Sequence, residues 1–290
     1  IAPATGAAGT SSYAAVGYGR FAPGQMRRTL VAVSFPDVAA ATAALPGFEL
    51  RMSAEATGLI HEDGRVAGVR TPDGEIRATL PVAADGRGSR IRDAAGLVPE
   101  RLGAPIDVLW FSLPAPPDAP PPTLAYVDSR AVVLTIPRGD RYQSGAVIEK
   151  GAFERLRTQG VDRFRAAIVR TAPVLEPVIG EIRDWDQVKL LSVQLDRLRR
   201  WHVDGLVAIG DAAHAMSPVM GVGINYAIQD AVALAGRIAP GLRAGQVPAA
   251  ALQAVQERRL PPVLKMQRIQ QLVHERIAGP SARGRRHVLP

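Results

Sequence analysis

Residues 205–230 read GLVAIGDAAHAMSPVMGVGINYAIQD. The first part, GLVAIGD, is a short and wholly apolar run that stops at Gly210-Asp211. A run with no polar alternation predicts a strand buried on both faces, as in a parallel sheet. The last part, GINYAIQD, opens an apolar helix that continues toward Pro240 and Gly241, where the sequence predicts its end. Between them lie small residues, Pro218 and two spaced glycines, Gly221 and Gly223. Ligands of open α/β sheets bind at the carboxyl ends of strands, which is where Asp211 falls. A carboxylate there suits sugar-like hydroxyls and repels phosphate. Gly221 and Gly223 let a flat ring or an anion approach bare backbone. The amides that open the helix carry partial positive charge, and Asn225 offers both a donor and an acceptor.

A second stretch repeats the device. VAADGRGSRIRDAAG, residues 82–96, is again an apolar run that ends in an acid and a glycine, Asp85-Gly86. Ser89 and Arg92 follow at the start of a predicted helix. Two strand–acid–glycine turns in one chain point to one shared site rather than to two unrelated turns.

Around these motifs the order is mixed. From Phe48 onward, short alternating runs are punctuated by Asp63-Gly64 and Asp73-Gly74, the signal of a β-meander. IDVLWFSL, TLAYVDSRAVVLTIP and RYQSGAVIEK predict antiparallel strands, and residues 99–122, Pro-rich around PAPPDAPPP, an extended surface connection. FERLRTQGVDRFRAAIVRTAP predicts one helix that ends at Pro173, and VKLLSVQL a strand. A last helix is predicted from about Pro248 to Ile277, broken near Pro261-Pro262. This is an α/β chain of mixed α+β character, in which an antiparallel sheet is inserted into a parallel layer. The domains expected are 1–104 with 186–290 for the parallel layer and C-terminal helices, and 105–185 for the inserted sheet.

Composition narrows the function. The 290 residues contain no cysteine, which excludes disulfides, thiolate nucleophiles and cysteine-based metal sites. The net charge is +8, yet only three of the 35 basic residues are lysine and the arginines are scattered. With 5% aromatics there is no base-stacking platform, so no nucleic acid partner is expected. No apolar run is long enough to span a membrane, no signal peptide opens the chain, and a cytoplasmic protein is expected.

Together the two motifs resemble the flavoprotein aromatic hydroxylases, the FAD-dependent monooxygenases of the para-hydroxybenzoate hydroxylase type. Gly210, Asp211, Ala212, Ala213, His214, Pro218, Gly221, Gly223 and Asn225 match the family's later FAD motif. Ala84, Asp85, Gly86, Ser89 and Arg92 match its middle motif. The resemblance implies FAD as cofactor, with Asp211 on the ribityl chain and Gly210 beside the pyrophosphate. Pro218 to Asn225, including Gly221, Val222, Gly223 and Ile224, would line the isoalloxazine. Asp85, Gly86 and Arg92 would support FAD and the approach of the nicotinamide. It further implies hydroxylation of a small aromatic or apolar substrate with NAD(P)H and O2, through a flavin C4a-hydroperoxide, and a homodimer is compatible. No catalytic side chain is assigned and no metal is needed. Flavin-lining candidates are Pro218, His214 and Met220, with His214 read as structural or cofactor-flanking and His202 as a surface turn residue. Related sequences often carry Gly at the position of Met220, whose side chain would narrow the pocket.

The family's N-terminal strand–GxGxxG–helix unit, which holds ADP, is not recognisable. Gly6, Gly9, Gly17 and Gly19 do not fit its spacing, and only Arg27 or Arg28 echoes the arginine-bearing segment after it. Two alternatives therefore stand beside the monooxygenase: a flavin oxidoreductase of the same fold that does not hydroxylate, and a truncated homologue that binds FAD weakly.

Overall fold

The computed structural model describes residues 54–116, 125–128 and 131–278, Glu49, Arg51, and the backbone of two short strands near the N-terminus. The glycine-spacing question, Arg27 and Arg28, and most of PAPPDAPPP lie outside the described residues. In chain order the strands and helices begin with β1 (Ala4–Gly6), β2 (Thr10–Ser12), β3 (Gly58–Glu62), β4 (Arg65–Thr71), β5 (Gly74–Arg77) and β6 (Val82–Ala83). Then come α1 (Arg90–Ala94), β7 (Pro99–Arg101), β8 (Ile106–Pro114), β9 (Ala125–Val127), β10 (Val132–Arg138) and β11 (Arg141–Glu149). The chain continues with α2 (Phe153–Thr158), α3 (Val161–Thr171), β12 (Lys189–Leu191), β13 (Asp196–Leu198), β14 (His202–Val203) and β15 (Leu206–Ala208). It closes on α4 (Gly223–Arg243) and α5 (Ala249–Ala278).

The described residues form two compact units, one of those up to 102 together with 194–267, the other of those in 103–193 together with 268–278. In the first, β3, β4 and β5 form the expected meander. Asp63 and Gly64 take φ of 49° and 81°, the paired left-handed turn that an Asp-Gly hairpin requires. The second hairpin turns one residue earlier than the Asp-Gly signal suggests: Thr71 pairs with Gly74, so Pro72-Asp73 form the loop. Gly205, at φ 79°, packs against β4 so closely that a Cβ there would lie 2.0 Å from the Val66 carbonyl oxygen. The same turn accepts the Val66 N–H on Asp204 O at 2.9 Å.

The decisive pairing is parallel. β15 lies beside β6 with Val207 opposite Val82 and Ala208 opposite Ala83. Leu206, Val207 and Ala208 are all buried, as an apolar parallel strand must be. One apolar cluster gathers Val207, Ile209, Leu234, Ile238, Leu242, Leu252 and Val255, so the strand packs beneath α4 and α5.

Both long helices outlast their predicted stops. α4 runs through Pro240 to Arg243, and α5 through Pro261-Pro262 without a break. A helical proline loses one hydrogen bond and crowds the carbonyl four residues back. At Pro240 that residue is Gly236, the least hindered backbone available, and buried Ile238 and Leu242 hold the helix on either side. Around Pro261-Pro262, buried Val255 and Val263 do the same.

In the second unit the five-stranded sheet runs β12-β8-β11-β10-β9, antiparallel at each pairing. Leu109, Phe111 and Leu113 of β8 share a core with Phe164 and Ile168 of α3. The single helix expected over 153–172 is two helices, because Gly160 adopts φ 88° and breaks the path. β12 pairs with β8, so the sheet takes in Lys189–Leu191, beyond residue 185, and the second unit runs to Val193. Residues 268–278, expected with the parallel layer, group with this second unit.

Candidate flavin site

Parallel pairing brings the two acid–glycine turns to the same end of the sheet. β6 leads into Ala84-Asp85-Gly86 and β15 into Ile209-Gly210-Asp211, and Ile209 N–H donates to Ala83 O at 3.0 Å. The turns touch through their side chains: Arg87 Nη2 stands 3.1 Å from Asp211 Oδ2, and both side chains are about one-third exposed. Arg87 carried no sequence signal of its own. Its partner is far along the chain and only the strand pairing brings them together.

The first turn is a built frame. Ser89 caps α1 by accepting Arg92 N–H at 3.0 Å, and its hydroxyl donates to Asp85. Asp85 Oδ2 also accepts Ile91 N–H at 3.3 Å. Arg92 is buried, and its Nη1 donates to Arg87 O at 3.2 Å while Nε meets Asp93 at 2.8 Å. Asp85 and Arg92 therefore shape the turn, and Arg87 is the cation it presents to Asp211.

The second turn is held from behind by a buried ionic cluster. Gly210 has φ 58°, and a Cβ there would come 2.9 Å from the Ala227 Cβ of α4. Its N–H donates to Asp230 Oδ2 at 3.1 Å. The same oxygen meets His214 Nε2 at 2.6 Å, and Asp230 Oδ1 accepts Arg259 Nε at 2.7 Å. Asp230 and His214 are essentially inaccessible. The His214 ring lies 4.9 Å from that of Trp201, also buried. His214 is thus part of the support behind the turn. Asp230 and Arg259 were missed in the sequence. The available signal was an acid inside the apolar run of α4, which needs a cation when its face is buried.

A lower brace joins β13 and α5 to this turn. Ala215 N–H donates to Asp196 Oδ1 at 3.2 Å, and Gln267 Nε2 donates to Asp196 O at 2.7 Å. Burial pushes the Asp196 carboxyl above its ordinary value, partly opposed by the Ala215 N–H. His202, expected at the surface, is buried in β14 beside Gln253 at 3.3 Å. Burial holds its imidazole below the ordinary range. The short β14–β15 hairpin turns it inward, against α5.

On the open side, α4 begins at Gly223 with no side-chain cap. Gly221 has open space where a Cβ would stand, and a Cβ on Gly223 would sit 3.9 Å from Asp211 Oδ1. The Asp211 carboxylate therefore stands beside Gly223 at the opening of α4. Pro218, Val219 and Val222 are half-buried beside it, while Ile224 and Asn225 are exposed. Met220 is more than half exposed and takes φ 71°, a left-handed conformation that a methionine holds only with strain. The set is chemically suited to a polyhydroxylated chain at Asp211 and a flat, anion-bearing ring at the glycines. Among the described residues, no three His, Asp or Glu side chains are grouped to hold a metal ion.

The sequence matches the family described as FAD binding domain over residues 29–269. The chain belongs to that family. It is 36% identical over 241 residues to 6-methylpretetramide 4-monooxygenase of Streptomyces rimosus, covering 78% of this chain and 55% of that protein. It is 30% identical over 226 residues to digeranylgeranylglycerophospholipid reductase of Methanocella arvoryzae, covering 72% and 54%. The chain thus spans about half the length of these curated relatives. Among solved structures, a PqsL variant from P. aeruginosa aligns with TM-score 0.67 at 21% identity, over 83% of this chain and 69% of that one. OxyS anhydrotetracycline hydroxylase from Streptomyces rimosus aligns with TM-score 0.61 at 23% identity, over 83% and 48%. The fold is that of these FAD-family proteins. No helix among the described residues is long and apolar enough to cross a membrane.

Proposed function

We propose that this chain is the flavin-ring-holding part of an FAD-dependent monooxygenase that hydroxylates a small aromatic or apolar substrate with NAD(P)H and O2. The observation that carries the reading is the placement of Asp211 at the end of a buried parallel strand, within reach of the uncapped, glycine-lined start of α4. When bound, FAD supplies the redox chemistry: two electrons from NAD(P)H and a proton let one oxygen atom of O2 enter the substrate and the other leave as water.

The chain's residues do the holding. Asp211 accepts hydrogen bonds from ribityl hydroxyls. The amides at Val222, Gly223 and Ile224 face the anionic edge that develops on reduction, where fixed dipoles lower its energy. Gly221 and Gly223 admit the ring, and Pro218 gives it a rigid apolar wall. Asp230, with His214 and Arg259, fixes the Gly210 turn so that Asp211 is aimed before any ligand arrives. The second unit, with its antiparallel sheet, is assigned to substrate recognition, in a homodimeric assembly. The 6-methylpretetramide named for the Streptomyces relative supports an aromatic substrate class.

The test is NAD(P)H oxidation by the chain with FAD and a panel of fused-ring phenols under 18O-labelled O2. Stimulated oxidation with one labelled oxygen in the product supports the reading. A second reading, a flavin reductase, is favoured by the likeness to the phospholipid reductase. It predicts a reduced product free of label.

A further inference from the structure

Among the described residues, Arg87 and Asp211 form an ion pair that joins the two turns and opens to solvent. Its surroundings make it exchangeable. An ion pair with both partners about one-third exposed is screened by solvent, so a ligand can compete for either partner. Asp211 alone is a poor neighbour for a phosphate, because two anions within a few ångströms repel. A ribityl phosphate therefore needs a cation beside the carboxylate that reads its hydroxyls.

Three arginines lie on the first turn, and the structure separates them. Arg90 points to Glu55 at 2.9 Å and is mostly exposed. Arg92 is buried and committed to Arg87 O and Asp93. Only Arg87 faces the second turn, and Arg92 pins its backbone from behind while the side chain reaches forward. Its backbone is fixed, and its partly exposed guanidinium stands beside Asp211 where an anion can reach it. Arginine suits the task, since its planar fork matches phosphate oxygens.

We propose that Arg87 is the phosphate-reading residue of this site: its guanidinium exchanges Asp211 for the phosphate of a ribityl phosphate, while the hydroxyls take over the carboxylate. The proposal rests on the flavin reading given above. It differs from the expected role of Asp85, Gly86 and Arg92, which here build the frame.

The test compares riboflavin with riboflavin 5′-phosphate, which differ only in the phosphate. Binding to the 290-residue chain is followed by flavin fluorescence quenching, for the native protein, Arg87→Gln and Arg87→Lys. The native chain should prefer the phosphate form roughly tenfold or more, the scale of one charge-assisted contact. Arg87→Gln should erase that preference and leave riboflavin binding unchanged or tighter, since Asp211 is released to the hydroxyls. Arg87→Lys should keep part of the preference, which shows that loss in the Gln variant is not misfolding. If Arg87→Gln binds both flavins as the native chain does, or loses both equally, the phosphate role is overturned and the flavin reading stands. If the native chain binds neither flavin, both fall.

Discussion

Asp230→Ala is the sharpest perturbation of the support behind the site. The carboxylate accepts from Gly210 N–H, His214 and Arg259, all in a region closed to solvent. Its removal strands a guanidinium that is 91% inaccessible, since the Arg259 side chain is 9% exposed. Breaking one side of a buried ion pair costs about 3–5 kcal/mol. Against a total stability of about 5–15 kcal/mol, that is a large share. At about 2–4 °C per kcal/mol for a unit of this size, the melting temperature should drop by roughly 10 °C. Arg87→Ala also breaks an Arg–Asp pair, but a half-open one, and should cost about 0–1 kcal/mol. Urea titrations followed by circular dichroism and tryptophan fluorescence give both numbers. The double variant Asp230→Asn with Arg259→Met should recover much of the loss, because no unpaired charge remains. The reasoning is refuted if Asp230→Ala loses no more than Arg87→Ala, or if the double variant is worse than Asp230→Ala.

Three further outcomes follow from local geometry. Met220→Gly should stabilise by about 0.5–1 kcal/mol, since relief of about 1–2 kcal/mol of left-handed strain exceeds the unfolded-state entropy that glycine adds; the urea midpoint reads it. Gly205→Ala should destabilise by about 2 kcal/mol or more, because the methyl meets the Val66 carbonyl at a positive φ, and the same titration would contradict this by an unchanged midpoint. His202 has a folded pKa below its unfolded value of about 6.5, so its contribution is complete above that pH and is lost as pH falls through the lowered value. Melting temperatures between pH 7 and 5 should therefore decline less steeply in His202→Gln than in the native chain.

The parts of the fold that local sequence dictates were legible. GLVAIGD is apolar throughout because β15 is enclosed on both faces, and Asp63-Gly64 is a turn because its φ values favour those two residues. The parts that depend on distant partners were not. Nothing near Asp230 announces Arg259, which sits on another helix, and nothing near Asp211 announces Arg87. His202 looks like a turn residue until α5 covers it. Pro240 and Pro261-Pro262 look like helix stops because proline's local cost is visible in the sequence, whereas the buried neighbours that outweigh it are not. Gly160 erred in the other direction, an interruption hidden within a helical pattern. For the candidate site, the two motif turns follow the paired strands β6 and β15, and the side chains that brace the second turn came from elsewhere in the chain.

The central claim is that Asp211 and the opening of α4 hold a flavin. Titration of the purified chain with FAD, read by the visible absorption band and by fluorescence, tests it directly. The account predicts a shifted band and quenched emission that saturate at one flavin per chain, and that weaken at least tenfold in Asp211→Ala. A spectrum identical to free FAD, or equal binding by Asp211→Ala, would contradict it.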